Sequence, residues 1–117
     1  MKRLIFFFFL FINCSISYSQ SISCEDLKEE LESEANLENS VTCFGSTALV
    51  KAEYYTYEGN SFVIVYLKSN NYDFRGKPYV FCGISYSIWN RFVSEGRYGS
   101  WGKSFDMYIK DYLCKCN

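Results

Sequence analysis

"SWGKSFDMYIKDYLCKC", residues 100–116, admits three chemical readings and one structural one. Gly-Lys-Ser suggests a phosphate-binding loop, Ser-x-x-Lys an acylating serine, and Cys-x-Cys a metal site. The phosphate loop fails because its motif needs glycine at position 97, where the chain has Arg97. Ser100 and Lys103 lack the companion motifs of an acyl-enzyme. What remains is a periodicity: Phe105, Tyr108, Ile109, Tyr112, Leu113 and Cys116 fall at i, i+3, i+4, i+7, i+8 and i+11, one apolar stripe on a helix. The spacing predicts a helix over 103–113. Ser100 or Ser104 caps its start, and Lys110 and Lys115 stand at the end that favours positive charge. Phe105, Ile109 and Leu113 are expected on a sheet, and the cysteines beyond form a covalent staple.

That sheet is legible upstream. "STALVKAEYYTY" and "SFVIVYLK" are rich in β-branched and aromatic residues and predict strands over 46–57 and 61–68, with Glu58-Gly59-Asn60 as the turn. "NNYDF", the turn Arg75-Gly76-Lys77-Pro78 and "YVFCG" predict a second hairpin, with strands at 71–75 and 79–82. The run Phe62–Leu67 is apolar almost throughout, which marks a central strand covered on at least one face. Ile88, Trp89 and Phe92 share a side of a helix over 86–95, broken by Gly96 and Gly99. Residues 24–37 read as a further helix: Ser23 caps it, Glu25 and Asp26 occupy its first turn, and Leu27 and Leu31 lie one turn apart. The fold class is α+β, a small antiparallel sheet of about four strands packed with a C-terminal helical pair, plus an acidic N-terminal helix, stabilised by disulfides.

The chain opens "MKRLIFFFFLFINCSISYSQ", with a positive start, an apolar run Leu4–Ile12 and small residues at Ser17 and Ser19, the three parts of a secretory signal. The run is far shorter than the roughly 20 residues of a membrane span. Cleavage is expected between Ser19 and Gln20, leaving an exported protein, periplasmic or extracellular. A lipoprotein anchored at Cys14 is the rival, disfavoured by Asn13 where a small residue belongs. Without Lys2 and Arg3, ten basic residues face thirteen acidic ones, a net of −3. Seven carboxylates and Lys28 fall between Gln20 and Ser40, a net of −6, most simply a solvated helix face. From Val41 onward nine basic residues face six acidic ones, a net of +3, too little for a dedicated nucleic-acid binder.

Cys24, Cys43, Cys82, Cys114 and Cys116 survive cleavage. In an exported chain of this size they mean disulfides. Zinc is disfavoured because Cys-x-Cys is tighter than the usual spacing and the chain has no histidine. Cys114 and Cys116 on a helix point about 200° apart, so they pair with different partners or leave one thiol free. Cys116, on the apolar stripe, is expected to reach Cys82. Cys24 and Cys43 flank the acidic helix and are expected to tie it down.

From Ser46 to Tyr112 the chain resembles the KTSC domain, a short module found at the C-terminus of some lysyl-tRNA synthetases and alone in bacteria. The resemblance rests on Ser46-Thr47-Ala48-Leu49 before the first strand and on the apolar strand Phe62–Lys68. It continues through Tyr79, Phe81 and Gly83 in the central motif, with Phe81 where the family has a second tyrosine and Ser85 where it has proline. It ends on Ser100, Gly102, Phe105, Ile109 and Tyr112 at the spacing of the family's last motif. It divides the chain into a signal peptide over 1–19, an acidic helical segment over 20–42 and a KTSC-like domain over 43–117. The resemblance implies no activity, and an RNA-binding role only through the synthetase context; the matching residues carry over as structural or surface positions.

The functional expectation is a non-catalytic binding or structural module without cofactor or metal, its partner an unknown protein, peptide or glycan. Ten Tyr, six Phe and two Trp in the mature chain motivate it. Tyr54, Tyr55 and Tyr57 occupy both faces of one strand, so at least one is expected to be exposed. With Tyr72, Arg75, Lys77, Tyr79 and Phe81 they make the candidate surface. A nucleic-acid module using aromatic strands with Arg75, Lys77, Arg91 and Arg97 is the alternative. Catalysis is disfavoured: no histidine exists to activate a thiol, and Lys51, Glu53, Glu58 and Asp73 are scattered.

Overall fold

The computed structural model describes residues 22–116. The signal segment, Cys14 and the cleavage site lie outside them. The elements run α1 (Cys24–Glu34), β1 (Asn36–Thr42), β2 (Leu49–Tyr57), β3 (Asn60–Leu67), β4 (Lys77–Cys82), α2 (Tyr86–Tyr98), α3 (Trp101–Tyr108) and a 3-10 turn over Lys110–Tyr112. The four strands form an antiparallel meander in sequence order. Glu58 and Gly59 make the β2–β3 hairpin turn, both at positive φ (51° and 80°), the geometry that follows the strand twist.

Both faces of the sheet are covered. On one, Ala52, Tyr54, Val63, Val65 and Phe81 meet Trp89, Phe92, Val93, Trp101, Phe105 and Ile109 of the helical pair. On the other, Tyr55, Ile64 and Val80 meet Leu31 of α1, with Leu27, Phe62 and Tyr66 packed beside them. The unbroken apolar run of β3 follows from this: in a period of two, Val63 and Val65 serve one layer while Phe62, Ile64 and Tyr66 serve the other. No helix among the described residues is long and apolar enough to cross a membrane.

The structure corrects five expectations about elements. The acidic helix stops at Glu34, and residues 36–42 form the edge strand β1, whose Asn36, Asn39, Ser40, Val41 and Thr42 are poor helix formers. Residues 71–75 are a loop, because the Asp73 carboxylate takes backbone N–H groups that a ladder needs. The sheet therefore has four strands, but 36–42 stands where 71–75 was expected. Gly96 does not break α2, which runs to Tyr98; it is buried because the Trp101 ring lies where a Cβ would be. The C-terminal helix is shorter than its stripe. Ser100 caps it through the Lys103 N–H, α3 ends at Tyr108, and Leu113 leaves the core, 52% exposed, to bridge Phe81 of β4.

The shortened helix also overturns the cysteine pairing. Cys82 bonds Cys114, Cys24 bonds Cys116, and Cys43 is the buried free thiol. Residues two apart on extended backbone point the same way, whereas on a helix they diverge. Cys114, whose N–H donates to the Val80 carbonyl, and Cys116 therefore both reach the α1 side of the sheet. As expected, the two are bridged to different partners and not to each other. Disulfides persist in oxidising compartments, and the pair fits a protein held outside the cytoplasm.

Candidate functional site

The tyrosines of β2 form no exposed platform. Tyr54 and Tyr55 are buried and Tyr57 is half-buried, because helices cover both faces, so the expected exposed tyrosine among them is absent. Tyr54 stacks on Trp89 at 5.4 Å and donates to the Ile84 carbonyl at 3.0 Å. Phe81 packs edge-on against Phe105. On the opposite face, hydroxyls tie α1 to the sheet: Tyr57 donates to Glu30 at 2.7 Å and Tyr66 to Glu32 at 3.0 Å, while Tyr55 donates to Glu53 at 3.2 Å. Burial first, and then the Glu53 carboxylate, pushes Tyr55 up to about 12. The hydrogen bond to Glu30 is the main cause that raises Tyr57 to about 12. Tyr66 is raised as well, by burial and the Glu53 and Glu32 carboxylates. Part of the acidic run is thus a set of acceptors for tyrosines.

The β3–β4 loop presents what the strands do not. Tyr72 is 85% exposed and Phe74 79% exposed. The loop between them is pinned by Asp73, whose carboxylate accepts from the Ser69 N–H and hydroxyl (both 3.0 Å), the Arg75 N–H (3.1 Å) and the Gly76 N–H (2.9 Å). These bonds, that of Gly76 foremost, lower Asp73 to about 2. Gly76, at φ +77°, admits no side chain: a Cβ there lies 3.0 Å from both Tyr66 and Val50. The loop is a built one, rigidly holding two aromatics in water.

Beneath Phe74 lies a cleft of about 490 Å³ lined by Lys28, Lys51, Tyr66, Arg75 and Pro78, with Val50 and Gly76. Lys28 pairs with Glu32 at 3.0 Å, and Lys51 with Glu53 at 3.6 Å while standing 4.6 Å above the Tyr66 ring. Arg75 and Lys77 have no ion-pair partner among the described residues. A second cleft, of about 560 Å³, shares Lys28 and Pro78 and adds Glu25, Glu29, Lys77 and Tyr79 beside the disulfides. The smaller cleft thus gathers Arg75 with Lys28, Lys51, Tyr66 and Phe74, four residues that sequence reasoning missed, while Lys77 and Tyr79 line the second cleft, Tyr79 packing toward the helical pair. Asn-x-Asp-x-x-Gly turn chemistry was the available signal for Phe74; Lys51 and Tyr66 are partners in the β2–β3 ladder, so hairpin register was theirs, and Lys28 joins them only through packing. Arg91 and Arg97 lie on α2, which packs on the other face of the sheet, so the four cations of the nucleic-acid reading do not form one surface.

The remaining motif positions do structural work. The Ser46 hydroxyl accepts from the N–H groups of Ala48 and Leu49 to start β2. Gly83 turns the chain at φ +74° and donates its N–H to Ser61. Gly102 lies near Ala48 with room for a Cβ in ordinary contact, Phe105 and Ile109 are core, and Tyr112 is exposed. Among the described residues no group of three or more His, Cys, Asp or Glu side chains is placed to hold a metal. No family model, no curated protein and no solved structure matches the chain.

Proposed function

We propose that this chain is an exported, disulfide-stapled, non-catalytic binding module of KTSC type that displays its β3–β4 loop to a ligand outside the cytoplasm. The observation that carries this reading is the pair of exposed rings, Tyr72 and Phe74, on a loop pinned by four hydrogen bonds to one carboxylate. Ordering a loop normally costs free energy on binding; here that cost is met in folding, which is what preorganisation means. Phe44 and Tyr98 are equally bare, and Phe44 lines a cleft with Arg97 and Trp101, but among the described residues no side-chain carboxylate pins either position. Tyr72 and Phe74 stand together beside two unpaired cations and a cleft. Non-catalysis is supported by the one free thiol among the described residues: burial pushes Cys43 up to about 12, which keeps it protonated and unreactive.

Two measurements test the reading. Intact mass of protein recovered from its native compartment is expected to give a chain starting at Gln20; a diacylglycerol on Cys14 overturns the soluble form. Partner capture from envelope or culture material, with the oxidised protein as bait, is expected to be lost with Tyr72→Ser/Phe74→Ser at unchanged melting temperature. Equal capture by both baits refutes the loop as the binding surface.

A further inference from the structure

We propose that the two clefts beneath the β3–β4 loop, which share Lys28 and Pro78, bind an acidic glycan, a chain of hexuronate sugars, with its carboxylates on Arg75 and Lys51 and a ring face on Phe74. The inference rests on the loop being the binding surface and names what that surface takes. Lys28, Lys51 and Arg75 line the smaller cleft and no carboxylate does. Glu32 and Glu53 each occupy one direction of a lysine ammonium that has three donors, and the planar fork of Arg75 meets no carboxylate at all. The site therefore offers unspent donors of a geometry that matches a carboxylate in two-point contact.

Beside the cations stand Phe74 and Pro78, flat apolar surfaces suited to the C–H face of a pyranose ring, while the Tyr66 ring already carries Lys51 on its face. The adjoining cleft reverses the polarity: Glu25 and Glu29 on its wall accept hydrogen bonds. Sugar hydroxyls donate to such groups. A deoxyribose phosphodiester backbone has no hydroxyl to donate to them.

The edge of the sheet separates a glycan from an acidic peptide. Peptides commonly bind a sheet by adding a strand. Along β4 that mode is closed, because Pro78 has no N–H and the Val80 carbonyl already accepts from Cys114. Recognition at this edge passes through side chains, a mode open to glycans, and a peptide is left without main-chain pairing. The cleft volumes, about 490 and 560 Å³, fall within the roughly 300–1,000 Å³ of small-ligand sites.

Isothermal titration of the oxidised, full mature protein tests this with an oligogalacturonate and with the same oligomer after reduction of its carboxyls to alcohols. The expected result is binding of the acidic oligomer that weakens with salt, and binding of the reduced oligomer about tenfold weaker or more, since charge-assisted contacts are lost. Arg75→Ala and Phe74→Ala are each expected to weaken the acidic oligomer about tenfold at unchanged melting temperature. Equal binding of the two oligomers, indifference to both substitutions, or tighter binding of poly-glutamate or a single-stranded oligonucleotide overturns the proposal. If no oligogalacturonate binds while Tyr72/Phe74-dependent capture persists, the ligand class is wrong and the binding surface stands. If both fail, the surface falls too.

Discussion

Asp73 and Gly96 show how much a single side chain, or its absence, sets in this chain. The Asp73 carboxylate is held near 2, below its ordinary 3.8, by the N–H groups it accepts. A lowered folded pKa means that the stabilisation is fully present above the ordinary value and is lost as pH falls through about 2. The loop is therefore expected to stay pinned down to about pH 4 and to loosen between there and pH 2, seen as loss of protection at the Arg75 and Gly76 amides. Asp73→Ala is expected to abolish that protection at neutral pH; protection that survives it shows another group holds the loop. Gly96 acts by having nothing to bury. Its missing Cβ is the space that the Trp101 ring fills where α2 packs on α3. Gly96→Ala is expected to cost about 1–3 kcal/mol in urea unfolding, the range for overpacking a close contact. A neutral effect would show that the two helices can slide apart freely.

At the scale of elements, α1 is the informative one. Its buried contribution is small, chiefly Leu31, and it is held as much by hydroxyl–carboxylate bonds as by apolar packing. Tyr55 and Tyr57 have folded values near 12 against an ordinary 10, and Tyr66 moves the same way. A raised folded pKa means that the stabilisation is complete below pH 10 and is lost as pH climbs through about 12. Tyrosinate absorbance and tryptophan fluorescence followed together are expected to show α1 lifting from the sheet across that window, with Trp89 and the other face still buried. Glu30→Gln/Glu32→Gln is expected to lower the midpoint. An unchanged midpoint means that apolar contact and the Cys24–Cys116 bridge hold the helix without those bonds. The strand β1 has a different logic: it is polar, bulged near Leu37–Asn39 and almost wholly exposed, features that blunt an open sheet edge against pairing.

The whole molecule is closed by its two disulfides. Cys24–Cys116 spans 92 residues, almost the full described chain, and Cys82–Cys114 spans 32. On the chain-entropy model the first contributes on the order of 4–5 kcal/mol and the second somewhat less. Non-reducing peptide mapping is expected to recover these two bridges with Cys43 as the alkylatable thiol after unfolding. A Cys82–Cys116 or Cys24–Cys43 peptide contradicts the topology. Cys24→Ser/Cys116→Ser is expected to lose several kcal/mol in urea unfolding while retaining the core between the sheet and the helical pair. The bridges join α1, β4 and the C-terminal segment around the larger cleft, so they also fix the walls of the proposed site.

Local physics determined much of this protein. The Ser100 cap, the alternation of β3, the helical stripes around Trp89 and Phe105 and the Glu58-Gly59 hairpin each depend on neighbours in the chain, and they specified an α+β fold with four antiparallel strands and a C-terminal helical pair. The same reasoning predicted that Cys114 and Cys116 have separate partners. Tertiary structure decided what depends on distant residues. Whether Tyr54 and Tyr55 face water was settled by helices on both sides of the sheet, and whether 36–42 or 71–75 completes it was settled by Asp73 competing for backbone donors. The cysteine pairing followed from where α3 stops, and Lys28 reaches Lys51, Tyr66 and Arg75 only because α1 folds over the face that β2 and β3 present. A periodicity shows which face of an element is apolar; only packing supplies what covers that face, and so what is left at the surface to bind.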